Sequence, residues 1–184
     1  MTQFLPQDRV AAFSKFDEKD LLEYQSIPEV VRYIPWPERT PEQVHEALLK
    51  AISQNDVVNE GDWIVLAIVS KETKKVIGQL NLSIKNSVNK YGEFGYVINP
   101  KFSGIGYVHE ACKALINWAF TVKDFNRLAT CIDTRNLASR KVSENLGMRL
   151  EATHIEDEMF KGEWTSSFVF AILKREWQEF NETD

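Results

Sequence analysis

Cysteine is almost missing from this chain of 184 residues: Cys112 and Cys131 are the two present, too few for a disulfide framework. Histidine is as scarce, and His45, His109 and His154 lack any spacing that would assemble a metal site. Basic residues are outnumbered, 22 Lys and Arg against 27 Asp and Glu, and the net charge of −5 argues against a general nucleic-acid binder. Long apolar runs are also lacking. The longest, such as Trp63 to Val69, are far too short to cross a bilayer, and the first residues show no basic stretch followed by an apolar one. The expectation is a cytoplasmic protein with no membrane partner and no metal.

What is present is ample core material. With 43% apolar residues and no repeat, low-complexity run or linker, one domain over residues 1–184 is expected, its core running from about residue 8 to about residue 175. Arg9 to Phe16 reads as a first strand, and Asp17 as the cap of a short helix carrying Leu21, Leu22 and Tyr24. Ser26 to Pro37 reads as a helical turn ending in a proline-broken aromatic loop, whose Tyr33 and Trp36 are either a substrate-side wall or simple packing. Thr40-Pro41-Glu42-Gln43 is a strong helix start, with a cap, a proline at the first position and a capping-box glutamine. That helix should run to about Ser53, with a polar loop from Asn55 to Asp62. Trp63 to Val69, Val76 to Ile84 and the stretch from Tyr91 to Asn99-Pro100 read as three strands in hairpin sequence.

A helix should follow, because Val108, Ala111, Cys112, Leu115, Ile116 and Ala119 recur along one face, which makes Cys112 a buried reduced thiol. Arg127 to Ile132 then reads as a strand and Ala138 to Leu146 as a helix stopped by Gly147. Arg149 to Phe160 and Trp164 to Leu173 close the chain as a strand pair. The fold class is α+β or mixed α/β, a twisted, mixed, largely antiparallel sheet flanked by helices.

Lys101 to Tyr107, between the third hairpin strand and the long helix, is the stretch most suggestive of function. Two glycines open directly into a helix, so backbone N–H groups converge where the helix adds unpaired donors and the positive end of its dipole. An ordinary turn that needs glycine for its dihedrals is the plain alternative. A dinucleotide fingerprint would need a third glycine where His109 stands, and a P-loop would need a Gly-Lys-Ser/Thr ending that is absent.

Lys101-Phe102-Ser103-Gly104-Ile105-Gly106 resembles the coenzyme A pyrophosphate loop of the GNAT superfamily of N-acetyltransferases, with lysine where that pattern has Gln or Arg. The resemblance extends over nearly the whole chain. Glu93 to Ile98 is similar to the family's fourth strand, and Gly106-Tyr107-Val108-His109-Glu110-Ala111 to the opening of its long helix. Asn136, Ser139, Val142 and Glu144-Asn145-Leu146-Gly147-Met148 resemble the next motif. Asp8-Arg9, the Val31 to Trp36 loop, Gly162-Glu163-Trp164 and Leu173-Lys174-Arg175-Glu176-Trp177 look like the Rim-like subgroup, the last two like its C-terminal strand. That subgroup is named for enzymes that acetylate the N-termini of ribosomal proteins.

The resemblance implies an acetyl-CoA cosubstrate whose pantetheine arm pairs with the backbone at Val97 and Ile98. Its pyrophosphate would sit on the amides of Phe102, Ser103, Gly104, Ile105, Gly106 and Tyr107 beside Lys101. Many relatives protonate the leaving thiolate with a tyrosine seven positions beyond the motif asparagine, but Ser143 stands there. The Rim-like pattern implies Ser139 as the acid instead, with Asn136 holding the pantetheine arm. For the base, His154, Glu156 and Glu158 would share one face of a regular strand. Glu158 falls at the subgroup's proposed base, Glu93 at that of protein-lysine acetyltransferases, and Glu110 reads as structural.

The implied function is direct acetyl transfer to a primary amine, a protein N-terminus or a small amine. A non-catalytic coenzyme A-binding or partner-binding module is the alternative. The subgroup resemblance also allows a homodimer.

Overall fold

Trp63 to Val69 is apolar throughout, as in a strand buried on both faces, and from Leu80 to Lys85 apolar residues alternate with polar ones. A computed structural model of the chain describes residues 9–54 and 56–182. Asp8 and Asn55 therefore lie outside the described residues. One sheet contains β1 (Val10–Ala11), β2 (Trp63–Val69), β3 (Val76–Asn86), β4 (Tyr91–Ile98), β5 (Arg127–Asp133), β6 (Arg149–Phe160) and β7 (Glu163–Leu173). Their order across the sheet is β1-β2-β3-β4-β5-β7-β6. Every neighbouring pair is antiparallel except β4 with β5, which is parallel. The mixed, largely antiparallel sheet expected from the element order is thus observed.

Helices cover both faces. Leu66 and Ile68 of β2 join the core cluster of α4 (Tyr107–Thr121) and of Trp177 from α6 (Lys174–Glu182). Ala67, between them, joins Leu21 and Tyr24 of α1 (Glu18–Gln25) and Val44 and Leu48 of α3 (Pro41–Ser53) on the other face. Leu115, Ile116 and Phe120 of α4 are essentially inaccessible, and burying side chains of this size contributes about 1.5–3 kcal/mol each. Cys112 lies among them as a free thiol, its pKa pushed up by burial. Two short helices complete the set, α2 (Pro28–Val31) and α5 (Leu137–Asn145).

Local chemistry explains where the elements begin and end. Thr40 Oγ1 accepts from Gln43 N while Gln43 Oε1 accepts from Thr40 N, the reciprocal box that starts α3. Gly147, at φ +71, ends the α5 segment in the left-handed conformation glycine tolerates.

Three expectations require correction. The first strand is Val10–Ala11 rather than Arg9 to Phe16, because Ser14 and Asp17 form a capping box that turns the chain into a 3-10 turn at Lys15–Asp17. Asp17 is spent on that box and gives α1 no side-chain cap. The segment after Leu173 is the helix α6, not strand: Glu176 accepts from the Leu173 amide at 2.8 Å and Trp177 is buried beneath it.

Candidate active site

β4 and β5 begin as partners and then separate. They pair at Tyr91↔Arg127, Gly92↔Leu128 and Glu93↔Ala129, and no β4–β5 pair forms beyond. Each strand nevertheless keeps its outer neighbour: β4 stays on β3 as far as Ile98↔Gly78, and β5 on β7 as far as Asp133↔Ser167. A wedge therefore opens inside the sheet, held apart from both sides.

Asn99 donates its amide to the Ile77 carbonyl at 2.7 Å, which makes Gly78↔Ile98 a non-hydrogen-bonded pair of the ladder. By alternation, the N–H and C=O groups of Ile98 and Tyr96 turn into the wedge, while those of Val97 turn to Gln79. Ile98 thus offers its backbone to an extended ligand, and Val97 offers a buried side chain on the wall. Tyr96 is the second backbone position on the open side.

The glycine loop follows the end of β4. Asn99 Oδ1 accepts from Lys101 N at 3.1 Å and starts a 3-10 turn at Pro100–Phe102. Ser103 is extended, Gly104 has φ +78, and Gly106, at φ +91, is the N-cap of α4 with no side chain to accept the first amides. A Cβ on either glycine would meet nothing within 4 Å, so the space over the loop is open and the dihedrals are what demand glycine. Lys101 and Ile105 extend outward. Phe102 packs edge-on to Tyr107, whose hydroxyl donates to Glu72 at 2.8 Å and whose ring lies 4.3 Å from the Arg9 guanidinium. Arg9 also pairs with Glu110, so Glu110 has a structural partner. The α4 N-terminus is thereby tied down on its outer side while its first amides stay available to an anion.

A cavity of about 790 Å³ lies in front of the wedge. Glu93, Tyr96, Val97, Asn136, Ser139 and Glu158 line it. Asn136 caps α5, accepting from Ser139 N at 3.1 Å, which fixes Ser139 in the first turn. Ser139 Oγ in turn accepts from the Tyr96 hydroxyl at 2.9 Å, so its own proton is left for another acceptor. Burial pushes the Tyr96 phenol up, the hydrogen bond to Ser139 opposing, and it remains a neutral donor. Ser143, at the position where many relatives carry tyrosine, is 3% exposed on the inner side of α5 and does not line the cavity.

The carboxylates differ in how they are held. Glu93 pairs with Lys85 at 3.5 Å. Asp133, also on the wall, takes two hydrogen bonds from the Arg135 guanidinium, which hold its pKa down, so it is a poor proton acceptor. Glu158 has no ion pair among the described residues. The expectation that His154, Glu156 and Glu158 share a face fails, because β6 is not regular there. Between the pairs His154↔Ser167 and Glu158↔Thr165, the three residues Ile155 to Asp157 face Ser166 alone, and Glu156 sits at φ +49. Of the three, only Glu158 lines the cavity. Among the described residues no cluster of His, Cys, Asp or Glu is placed to hold a metal ion.

Tyr33 and Trp36 form part of the opposite wall together with Arg39 and Phe160. Lys161, at the β6–β7 turn, donates to the Val31 and Trp36 carbonyls at 2.7 and 3.3 Å and ties that turn to the aromatic loop. Two wall residues, Tyr96 and Arg39, had no signal of their own in the sequence. Strand alternation places Tyr96 opposite Val97, but only the packing of α5 brings Ser139 to its hydroxyl.

Comparison with known proteins agrees with this geometry. The model of the acetyltransferase (GNAT) domain matches residues 10–149. N-acetyltransferase p20 of Bacillus licheniformis, itself uncharacterised, is 30% identical over 161 residues, 88% of this chain and 89% of that protein. A GNAT-family acetyltransferase from Bacillus anthracis superposes with a TM-score of 0.84 at 23% identity, over 94% of this chain and 99% of that one. The ribosomal-protein-S5-alanine acetyltransferase of Vibrio fischeri superposes with a TM-score of 0.74 at 22% identity, over 95% and 97% of the two chains. No helix among the described residues is long and apolar enough to cross a membrane.

Proposed function

The chain belongs to the GNAT acetyltransferase family, and from that premise we propose that it transfers the acetyl group of acetyl-CoA directly to a primary amine. The acceptor class is the α-amine of a protein N-terminus, as in the Rim-like subgroup, or the amine of a small molecule. The observation that carries the reading is the wedge between β4 and β5 with the Tyr96–Ser139 hydroxyl pair at its mouth.

The residues present fit the cosubstrate. The backbone of Ile98 and Tyr96 would pair with the amide groups of a pantetheine arm, as a missing strand would. The amides from Phe102 to Tyr107, beside Lys101, would take the pyrophosphate. Asn136 spends its side-chain oxygen on the α5 cap, so its NH2 group is the part left to hold the arm.

In the transfer, the acceptor nitrogen forms a bond to the acetyl carbon, and the carbon–sulfur bond breaks. The amine loses one proton and the departing thiolate gains one, giving an N-acetyl amine and coenzyme A thiol. Ser139 supplies the proton to sulfur, and Tyr96, hydrogen-bonded to Ser139 Oγ, keeps that hydroxyl oriented and replenished. Glu158 receives the amine proton, with Glu93, tied to Lys85, the second candidate. Fixing both reactants in one geometry lowers the barrier by several kcal/mol without a covalent enzyme intermediate.

A non-catalytic coenzyme-binding module is the rival reading, and Ser143 in place of a tyrosine is what favours it. Tyr96 supports the catalytic reading by bringing a phenol to the wedge from another element. Thiol release from acetyl-CoA over a panel of amines and peptides, with calorimetric binding of acetyl-CoA, tests the two. Amine-dependent release is expected. Tight binding with no release from any acceptor would favour the module.

A further inference from the structure

Of the cations that line the cavity, Arg39, Lys50 and Lys85, Arg39 is the one anchored to a buried side chain. Arg39 follows the aromatic loop and precedes α3, and it lines the cavity together with Tyr33 and Trp36 of that loop. It is built in place. Its backbone amide donates to the Gln25 carbonyl at 3.1 Å and its Nη1 to Gln25 Oε1 at 2.9 Å, and the guanidinium stacks 4.2 Å from the centre of the Trp36 ring. Gln25 is 2% exposed and is itself fixed by Gln79, to which its Nε2 donates at 2.8 Å. A guanidinium carries five N–H donors, and only one is committed here.

The remaining charges explain why this is unusual. Lys85 on the wall pairs with Glu93 and Asp133 with Arg135, so those charges are balanced within the protein, and the exposed Lys50 lies with its ammonium over the Trp63 ring. Arg39 has no carboxylate partner among the described residues, and Glu158 has no cationic one. Partial burial lowers the Arg39 pKa, destabilising its cation. A half-buried cation is costly unless an anion joins it, and the planar fork of arginine is suited to a carboxylate. The buried side-chain atoms without partners among the described residues are Arg9 Nη1, Gln54 Oε1 and Trp177 Nε1. The spare donors of Arg39 are not among them, so they remain open to a ligand.

Resting on the transferase reading above, we propose that Arg39 determines acceptor specificity by pairing with a carboxylate that the acceptor carries. The acceptor is then a small amino-acid-type molecule, its amine presented to Glu158 and its carboxylate to Arg39, with the Trp36 ring under the guanidinium. An acceptor with cationic groups alone would leave Arg39 unpaired and place a second positive charge beside it.

The test uses the common α-, β- and γ-amino acids and the carboxamide of each, titrated calorimetrically into the full-length protein saturated with coenzyme A. At least one free acid should bind about ten- to a hundredfold more tightly than its amide, the range of a charge-assisted hydrogen bond. Arg39→Gln should abolish that difference while leaving the amide's affinity unchanged, and Arg39→Lys should restore part of it. A merely structural Arg39 would lower both affinities together. The proposal is overturned if no free acid binds more tightly than its amide, or if Arg39→Gln weakens both alike. Binding is read without turnover, so a selective carboxylate site that shows no thiol release with acetyl-CoA would sink the transferase reading and leave this assignment standing.

Discussion

The Tyr96 hydroxyl donates to Ser139 Oγ at 2.9 Å, joining the middle of β4 to the first turn of α5 across the mouth of the wedge. In the proposed mechanism Ser139 is the proton donor and Tyr96 holds its hydroxyl in place. Ser139→Ala should lower kcat by about 10²- to 10⁴-fold, the range for a lost general acid, with acetyl-CoA affinity kept. Tyr96→Phe removes one hydrogen bond to a group that still holds its own proton, and a loss of about two- to tenfold is expected. In the double variant the two losses should not add, since Tyr96 acts through Ser139. Thiol-release kinetics with calorimetric acetyl-CoA binding measure all three, and full activity of Ser139→Ala would remove the acid assignment.

Glu158 and Glu93 are separated by a pH test. The α-amine of a peptide N-terminus has a pKa of about 7.7–8.0, so above that range a peptide acceptor arrives largely unprotonated and needs little help. Glu158→Gln should therefore lower kcat/KM strongly at about pH 6.5 and much less at about pH 9. Glu93→Gln, which removes the Lys85 partner, should give a small loss with no such recovery. A recovery at high pH seen for Glu93→Gln alone would exchange the two roles.

Acid stability should report on Glu151. The Arg127 hydrogen bond holds its carboxyl down to about 2, with burial opposing and Arg149 assisting. The folded pKa lies below the ordinary value of about 4.3, so the stabilisation is present above that value and is lost as pH falls toward about 2. Wild type should melt above Glu151→Gln at neutral pH, and the gap should close between about pH 4.3 and about pH 2. Thermal melts of both proteins across that window decide it. A gap that widens with acidification would mean the carboxylate is not held by its arginines.

The elements that sequence placed well are those whose ends are written in local chemistry. Thr40, Pro41 and Gln43 start α3, Gly147 ends the α5 segment, and the two-glycine loop opens α4. Of the misplaced pieces, β1 is cut short by the local Ser14–Asp17 box, and the others involve packing and strand pairing. The strand expectation for Leu173 to Trp177 rests on the subgroup resemblance, whereas Glu176 accepting from the Leu173 amide and the burial of Trp177 make the segment the start of α6. The extra residues of β6 between His154 and Glu158 are invisible to a period-two count, because nothing local marks where a bulge falls. The candidate site divides in the same way. Ser139, Asn136 and the glycine loop sit in contiguous motifs, whereas Tyr96 and Arg39 gain their meaning from α5 and Gln25, which fold onto them from elsewhere in the chain.

Lys161 offers a last test, because it joins the acceptor side of the cavity without touching the coenzyme loop. Its ammonium donates to the Val31 and Trp36 carbonyls, which ties the β6–β7 turn to the aromatic loop. Glu158 lies three residues before it on β6, and Arg39 three residues after Trp36, so the clasp sets the spacing of the two unpaired charges. Lys161→Met keeps most of the stem and removes the donor. The acceptor KM should rise about three- to tenfold, consistent with loss of a charge-assisted hydrogen bond that is partly open to water. Acetyl-CoA affinity should not change, since the wedge and the glycine loop are built from β3, β4, β5 and α4. Steady-state kinetics in both substrates separate the effects. An equal loss for acetyl-CoA would mean that the clasp supports the whole domain, and no loss for the acceptor would mean that the wall keeps its shape without it.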